Sequence, residues 1–536
     1  MSYAAAIDQL SAMTPELHTQ PGHARRKFSL AEIGLLLEAL GNPHRRFPSV
    51  LIAGTNGKGS TAATLASILR QSVPRTGLYT SPHLTRPNER IRVNGHEISD
   101  DEFARLYFRV HDSGQALVFD SRLRQSPSFF ETLTAMAFLH FAESAIDIAV
   151  LEVGMGGRLD ATNIVDPLLS IVTDISLDHM EWLGPTISDI TREKAGILRP
   201  NGTLVTLPQH PDANQVLGEI ATGLNVRAIS AVPYMPQSAP RSSANAFVSG
   251  NDSSSAAVHA SAEAFSRPDH GPNQTGAPDQ HAYPIQVLGS TIAIASPLHG
   301  DHQHRNVALA IAAAVELAMH HGFPITSASI AQGVRSTHWP GRLEVFSLAN
   351  KPSAPGLDVE TWEGTPSGAP RLSLSAATSH TLAPPQVVLD VAHNPAGAWA
   401  LRAALRSEFG LDPPERKAAT LLFGCLRDKP LAEMAQILFP LFEEVIFAPI
   451  HSPRATPSHE LLAAAEAVGV PARAAASVEE ALAWAGLCAQ NPTPPAGAGN
   501  HPSQREEARV APRVVVVAGS VYLVGEVRPL LLARSK

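Results

Sequence analysis

The sequence predicts an α/β protein built on mostly parallel sheets wrapped by crossover helices. Three observations predict it. Short apolar runs alternate with helix-like segments along the chain, as in repeated strand, helix and parallel strand units. Each apolar run is followed by Gly, Asp, His or Asn, at the strand ends where open parallel sheets bind ligands. One run enters a glycine-rich loop, AGTNGKGST at residues 53–61, that leads into a helical pattern.

The strand candidates are 49–53, 146–153, 169–175, 386–391, 419–423 and 514–518. A helix candidate at 60–70 carries Ala62, Leu65, Ala66 and Leu69 on one face. The segment ERIRVNGHEIS reads as a hairpin turning at Asn94-Gly95. Three stretches rich in polar residues, Pro, Ser, Ala and Gly break these patterns, at 236–284, 351–385 and 491–512. The longest has too few large apolar residues to offset the entropy of ordering it and is predicted to be a disordered insertion.

The 536 residues, 44% apolar and 17% charged, suffice for more than one domain with sizeable cores. Forty-one basic against 49 acidic residues give a net charge of -8 without a long basic tract, which argues against a nucleic-acid partner. Cys425 and Cys488 are too few for a disulfide framework and lack the paired spacing of a zinc site, which fits a reducing cytoplasm. MSYAAAIDQL has no basic region followed by an apolar core, and no 18 apolar residues run uninterrupted. The expectation is a soluble cytoplasmic protein with no membrane partner.

Glycines 54, 57 and 59 let backbone amides approach an anion, the next helix points its positive end there, and Lys58 adds a full charge. A phosphate site is expected; the alternative is a glycine-rich turn that contains a lysine. Gly59 stands where the standard P-loop places the Ser or Thr that holds magnesium. Metal ligands must then come from elsewhere. Glu152 ends the apolar run IDIAVLEVG, Ser81 lies in the turn after Leu78-Tyr79-Thr80, and His179 ends LSIVTDISLDH, with Asp178 as a competing ligand. Magnesium prefers oxygen, so a carboxylate, a hydroxyl and phosphate oxygens form a plausible set, and histidine is less usual. The alternatives are a simple turn at Ser81, a Glu152–Arg158 pair and an ordinary loop histidine.

Other residues carry two readings. Ser128 to Glu131, SFFE, has the capping-box pattern, which alone accounts for the acid. His299, His302 and His304 crowd together in HGDHQHRN without helical ligand spacing, and Asn306 could cap a helix over 307–317. Lys194 in REKAGI could be a solvated helix lysine, and Arg342 in PGRLE a surface arginine.

GTNGKGS resembles the P-loop of the folylpolyglutamate synthases and dihydrofolate synthases, a branch of the Mur ligase superfamily of ATP-dependent amide ligases. The resemblance continues, in order, through YTSPHL (79–84), NERIRVNG (88–95), SFFE (128–131), LEVGMGGRLDATN (151–163), DHMEWLG (178–184), REKAGI (192–197), HGDHQHRN (299–306), PGRLE (340–344), LDVAHNP (389–395), FGCLRDK (423–429), SPRA (452–455) and AGSVYLVGEV (518–527). The gaps coincide with the three low-complexity stretches.

The resemblance implies a P-loop ATPase domain like the Mur ligase central domain, holding ATP and pterin over residues 1–337. A Rossmann-like glutamate-ligase domain is implied over 338–536. It further implies that ATP meets Gly54, Thr55, Asn56, Gly57, Lys58, Gly59, Ser60, Asn306, Arg342 and Asp390. Ser81, Glu152 and His179 would coordinate magnesium, with two ions in all, and Lys194 would be carbamylated to steady the second. Ser128, Phe129, Phe130 and Glu131 would border the pterin pocket. Leu159-Asp160-Ala161 resembles the dihydropteroate contact of bifunctional bacterial enzymes, whereas Ser29 stands where those enzymes usually read Asp-Leu-Gly. His393 and Ser520, after separate C-terminal strands, are candidates for the glutamate pocket.

The implied reaction activates a pterin carboxylate as an acyl phosphate, which the amino group of L-glutamate then attacks, with Lys58, Lys194 and His179 as the catalytic set. The substrates would be ATP, L-glutamate and dihydropteroate or reduced folates, and the protein a monomer. The alternatives are a polyglutamylase alone, a cell-wall Mur ligase, or a P-loop switch that hydrolyses ATP to change shape. With only 53 residues before Gly54, no room is expected for the N-terminal uridine-nucleotide domain of the cell-wall ligases.

Overall fold

A computed structural model describes residues 2–13, 29–237, 282–347, 385–411, 419–487 and 514–535. The first sheet contains β1 (Ser49–Ala53), β2 (Thr76–Tyr79), β3 (Ile91–Val93), β4 (His96–Glu97), β5 (Ile148–Glu152), β6 (Leu169–Val172), β7 (Thr203–Thr206) and β8 (Arg227–Ser230). Their spatial order is β4-β3-β2-β5-β1-β6-β7-β8, parallel from β2 to β8 with β3 and β4 antiparallel at one edge. Strand β1 lies between β5 and β6 and is buried throughout, which explains its unbroken apolar run.

Alternate residues of β1 feed two cores. Val50 and Ile52 pack with the helices Lys58–Arg70 and His302–His320, while Leu51 and Ala53 pack with Phe129–Glu143 and Asp100–Phe119. A two-stranded hairpin, β9 (Tyr283–Val287) and β10 (Ser290–Ile294), adds Tyr283, Ile285 and Val287 to the first of these cores.

The second sheet contains β11 (Glu344–Ser347), β12 (Gln386–Leu389), β13 (Ala419–Phe423), β14 (Glu444–Phe447), β15 (Ala472–Ala474) and β16 (Val514–Ala518). Its order is β11-β12-β16-β13-β14-β15, parallel except for β11 at the edge. Helices cover both faces: Pro395–Phe409, Leu431–Leu438 and Ser458–Ala467 on one, Val478–Trp484 and Val521–Ser535 on the other. Among the described residues no helix is long and apolar enough to cross a membrane.

The α/β architecture with parallel sheets is as expected, and several boundaries differ. The strands predicted at 146–153, 169–175 and 386–391 are shorter, because pairing ends at Glu152, Val172 and Leu389 and the residues beyond are loop. The P-loop helix begins at Lys58 instead of Ser60. The hairpin turn at Asn94-Gly95 forms with both residues at positive φ, and the Asn94 side chain accepts from Thr76 N and donates to Pro74 O. Most of 236–284 lies outside the described residues, but Tyr283 and Pro284 belong to β9, so the low-complexity stretch ends earlier than predicted. The stretches 351–385 and 491–512 also fall outside the described residues, apart from Pro385.

The helix Ser327–Arg335 meets the P-loop helix where Gly333 has no side chain, and a Cβ there would lie 2.3 Å from Ile68 Cα. Ser67 also donates to Gly333 O at 2.7 Å. Because the obstacle is backbone, the helices must separate to admit a methyl group. Gly333→Ala is expected to cost about 1–3 kcal/mol, seen as a lower midpoint in thermal unfolding; an unchanged midpoint would refute this close packing.

Candidate active site

The glycine loop leaves β1 with Gly54 at φ 151° and Gly57 at φ 88°, conformations that favour glycine. Neighbours demand glycine too. A Cβ on Gly54 would lie 1.8 Å from Thr173 Oγ1, and one on Gly57 2.1 Å from Asn306 Oδ1. The backbone amides of Thr55 and Asn56 both donate to Asp174 O, and Thr55 Oγ1 donates to Ser176 O at 3.1 Å. Lys58 Nζ donates to Gly54 O and Thr55 O, folding its charge over the loop. Gly59 has its own reason to lack a side chain: a Cβ there would sit 2.9 Å from Cζ2 of Trp339. The hydroxyl of the standard motif is excluded by packing.

Glu152 ends β5 beside this loop, 4% exposed, and its Oε2 accepts Ser81 N at 3.0 Å. Burial raises its pKa above the usual carboxylate range, opposed by the charge of Lys58 and the hydrogen bond from Ser81 N, which favour the ionised form. His179, at φ 52°, has its pKa pushed down to about 4, chiefly by burial, which leaves a neutral imidazole with a free lone pair. Among the described residues no three His, Cys, Asp or Glu side chains converge to hold a metal. Ser81, Glu152 and His179 line one cavity beside the loop, where a magnesium ion would find the carboxylate and hydroxyl oxygens it prefers together with an imidazole, a less usual ligand.

Lys194 is buried at 4% exposure and donates to Gly54 O at 2.7 Å, so the solvated-lysine reading is incorrect. Burial, then the charge of Lys58, pushes its pKa down to about 7. Arg158 pairs with Glu193 at 2.9 Å instead of Glu152.

Two cavities meet at these groups. One, of about 350 Å³, is lined by the glycine loop from Gly54 to Ser60, Glu152, Lys194, Asn306, Arg342 and Asp390. The other, of about 380 Å³, is lined by Ser128, Phe130, Glu131, Leu159, Asp160, Ala161, Trp182, Ser520 and Tyr522. Ser81, His179, Arg342 and His393 border both. Phe129 is the predicted pterin residue absent from these walls; it lies under the guanidinium of Arg90, 5.2 Å from its ring centre.

In the second cavity the predicted capping box forms: Ser128 N donates to Glu131 Oε2, and Glu131 N to Ser128 Oγ. The Asp160 carboxylate accepts from Met155 N, Thr162 N and Thr162 Oγ1, so it shapes the loop over 154–162 as well as lining the cavity. Ser29 lies in the wall and caps the helix Leu30–Ala39 by accepting from Ala31 N.

Asn306 is not a cap. The helix runs from His302 to His320, which places Asn306 in its second turn, where it accepts no capping role and donates to Gln303 Oε1. Of the neighbouring histidines, His299 bonds Glu408 and His302 meets Gln303. Asp390, after β12, accepts Leu343 N and Ala392 N, tying the PGRLE turn to the LDVAHNP loop. His393 Nδ1 is bonded to Val391 O, which directs Nε2 toward Asp178 at 3.8 Å. Ser520 Oγ accepts Tyr522 N at the start of the last helix.

Sequence reasoning missed Lys429 and Asn394. Lys429 Nζ lies 2.8 Å from Asp178 Oδ1, the side chains 6% and 9% exposed, and Asn394 Nδ2 donates to Asp178 Oδ2. Burial opposes ionisation of Asp178, but the surrounding His179, Lys429 and His393 outweigh it and hold its pKa below the usual range. That carboxylate bridges the sheets by accepting from Lys429 and Asn394. The signal was present: FGCLRDK places a lysine in the loop after β13, just as SLDH places an acid in the loop after β6.

Residues 52–231 match the Mur ligase middle domain and residues 377–492 the Mur ligase glutamate ligase domain. The chain is 32% identical over 450 residues to the dihydrofolate synthase/folylpolyglutamate synthase of Bacillus subtilis, covering 83% of this chain and 87% of that one. Its structure is similar to the Mycobacterium tuberculosis folylpolyglutamate synthase complexed with ADP and AMPPCP, at TM-score 0.71 and 28% identity over 99% of both chains. It is also similar to Escherichia coli FolC in complex with DHPP and ADP, at TM-score 0.69 and 25% identity over 100% and 99% of the two chains.

The contact between Gly59 and Trp339 makes a counterintuitive prediction. Gly59→Ser installs the hydroxyl of the standard motif, yet it should weaken ADP binding by roughly tenfold, the equivalent of ~1.4 kcal/mol of overpacking. Titration calorimetry checks this, and adding Trp339→Ala should recover much of the loss. Unimpaired binding by the single variant would refute steric exclusion.

Proposed function

The chain belongs to the dihydrofolate synthase/folylpolyglutamate synthase family of Mur ligases, which are ATP-dependent amide-forming ligases, and from that premise we propose that it joins L-glutamate to dihydropteroate and to folates already carrying glutamate. The observation that carries this reading is the junction of the two cavities. A phosphate-binding loop occupies one, aromatic and apolar walls suited to a pterin occupy the other, and they open into each other at Ser81, His179, Arg342 and His393.

A carboxylate does not condense with an amine at neutral pH without activation. In the proposed reaction the terminal carboxylate of the pterin substrate attacks the γ-phosphorus of ATP, forming an acyl phosphate as the bond to ADP breaks. Lys58 and the glycine-loop amides offset charge on the phosphoryl oxygens, and Arg342 offers a two-pronged donor from the second sheet's side. The uncharged amino group of glutamate then attacks the acyl carbon, and the tetrahedral intermediate expels phosphate to leave the amide. Neutral His393 and Ser520 flank the region where glutamate would lie. Because groups from both sheets meet there, water is kept from the acyl phosphate.

Ser81, Glu152 and His179 would hold magnesium, whose charge would neutralise ATP oxygens when bound. A pKa of about 7 leaves much of Lys194 as free amine at neutral pH, the form that reacts with carbon dioxide to give a carbamate, so the burial of this lysine supports its proposed modification and a second ion. Both halves of the chain line the cavities, which supports a monomer working on small molecules, and the setting we propose for it is the cytoplasm.

The wall formed by Leu159, Asp160 and Ala161 favours action on dihydropteroate as well as on longer folates. Phosphate release from ATP should require glutamate together with either dihydropteroate or tetrahydrofolate. Release with tetrahydrofolate alone as acceptor would reduce the function to polyglutamylation, and release without glutamate would indicate an ATP-driven switch. Lys58→Ala should abolish turnover while leaving the thermal midpoint near that of the unmodified protein; near-normal turnover would refute the P-loop assignment.

Carbamylation has its own readout. With ¹³C-labelled carbon dioxide held at one dissolved concentration, a carbamate resonance should appear that is absent from Lys194→Ala, and its initial rate of formation should rise between about pH 6 and pH 8 as the amine loses its proton. No such resonance in the intact protein would exclude the modification.

A further inference from the structure

We propose that Asn394 is a positioning residue that couples the glycine loop to closure of the second sheet's loops; this rests on the ligase reading above. Asn394 follows β12, is 1% exposed, and caps the helix Pro395–Phe409. Its Oδ1 accepts Gly397 N at 2.8 Å. A backbone N–H only donates, so the orientation of the amide is settled and Nδ2 must face the other way. The two Nδ2 hydrogens are shared between Asn56 Oδ1 and Asp178 Oδ2, each at 3.1 Å. Every polar atom of this side chain is used, once within its own sheet and twice across to the other.

The partners lie in two separate loops of the first sheet. Asn56 is part of the glycine loop, and its own Nδ2 donates to Ser176 Oγ at 3.1 Å. Ser176 is further locked to Thr55, whose hydroxyl accepts Ser176 N and donates to Ser176 O. Asp178 completes the bridge through Lys429 on the loop after β13. A shift of the glycine loop therefore either drags Asn394 or leaves a buried polar group unpaired, which is costly in a water-poor site. His393, the adjacent residue, borders both cavities, so the same movement sets its place relative to the reacting atoms.

Asn394→Asp separates this role from simple capping. Aspartate caps helices as well as asparagine does and has nearly the same shape, but it replaces the two shared hydrogens with an acceptor facing the Asp178 carboxylate and the Asn56 carbonyl. In the full-length protein, kcat/KM for glutamate should fall by about 10- to 100-fold. Amide hydrogen exchange should quicken at residues 174–180 and 392–397 together. Asn394→Ser, which also caps helices, adds no charge and is too short to supply both donors, should quicken exchange at the same two segments while the Asp178–Lys429 pair stays intact. Unaltered exchange and kcat/KM in Asn394→Asp would overturn the proposal, as would an Asn394→Ser variant whose exchange stays slow at both segments. If the unmodified protein released no phosphate in response to glutamate, the ligase reading would fail by itself, while the exchange comparison would still decide the role of Asn394.

Discussion

Bringing opposite charges from two sheets into one poorly hydrated seam is the constraint around which this molecule is organised. Asp178, on a loop of the first sheet, is held by Lys429 and Asn394 from two loops of the second. Removing two charges from water is costly, and their attraction compensates only when the geometry is close and the remaining hydrogen-bonding capacity is filled. Here the Asp178 carboxylate accepts from Lys429, Asn394 and the His179 amide. The loops are thereby fixed in register with each other, and the groups next in sequence, His179 and His393, are carried to the junction of the two cavities.

The same economy of space governs the glycine loop. Gly54 and Gly57 are required both by backbone conformation and by the side chains of Thr173 and Asn306, whereas Gly59 is required by Trp339. A loop packed this closely has no room for a metal-binding hydroxyl at position 59, and its Thr55 and Asn56 amides are taken by Asp174 O. Oxygen donors are available instead from Ser81 and Glu152, which are joined through the Ser81 amide. In the proposed site, metal-ligand duty would fall to residues after neighbouring strands instead of to position 59.

Much of the fold was legible because its causes are local. Buried parallel strands read as unbroken apolar runs, and the glycine loop has a characteristic spacing between strand and helix. Boundaries were less legible: 169–175 continues to look apolar through Ile175, but hydrogen-bonded pairing stops at Val172. The capping alternative for Asn306 fails for a similar reason. Asparagine is a good capping residue, but the helix gains a further turn at its N-terminus by packing His302 and Gln303 at the seam, and propensity yields to that tertiary contact. Phe129 and Phe130 are adjacent in sequence, but a helix turns them apart, so only Phe130 lines the cavity.

The sequence by itself determined the class of fold, the phosphate-binding loop and the placing of Glu152 at a strand end and of Ser81 and His179 in the loops after strands, because each follows from a short pattern whose meaning is set by neighbours along the chain. Tertiary structure alone decided that Asp178 bridges the sheets, that Lys194 is buried against Gly54 O, that Trp339 excludes a side chain at position 59, and that Asn394 joins the glycine loop to the second sheet. These contacts link residues tens to hundreds of positions apart. Their energies depend on burial and on distances of a few ångströms, quantities that no local pattern of residues encodes.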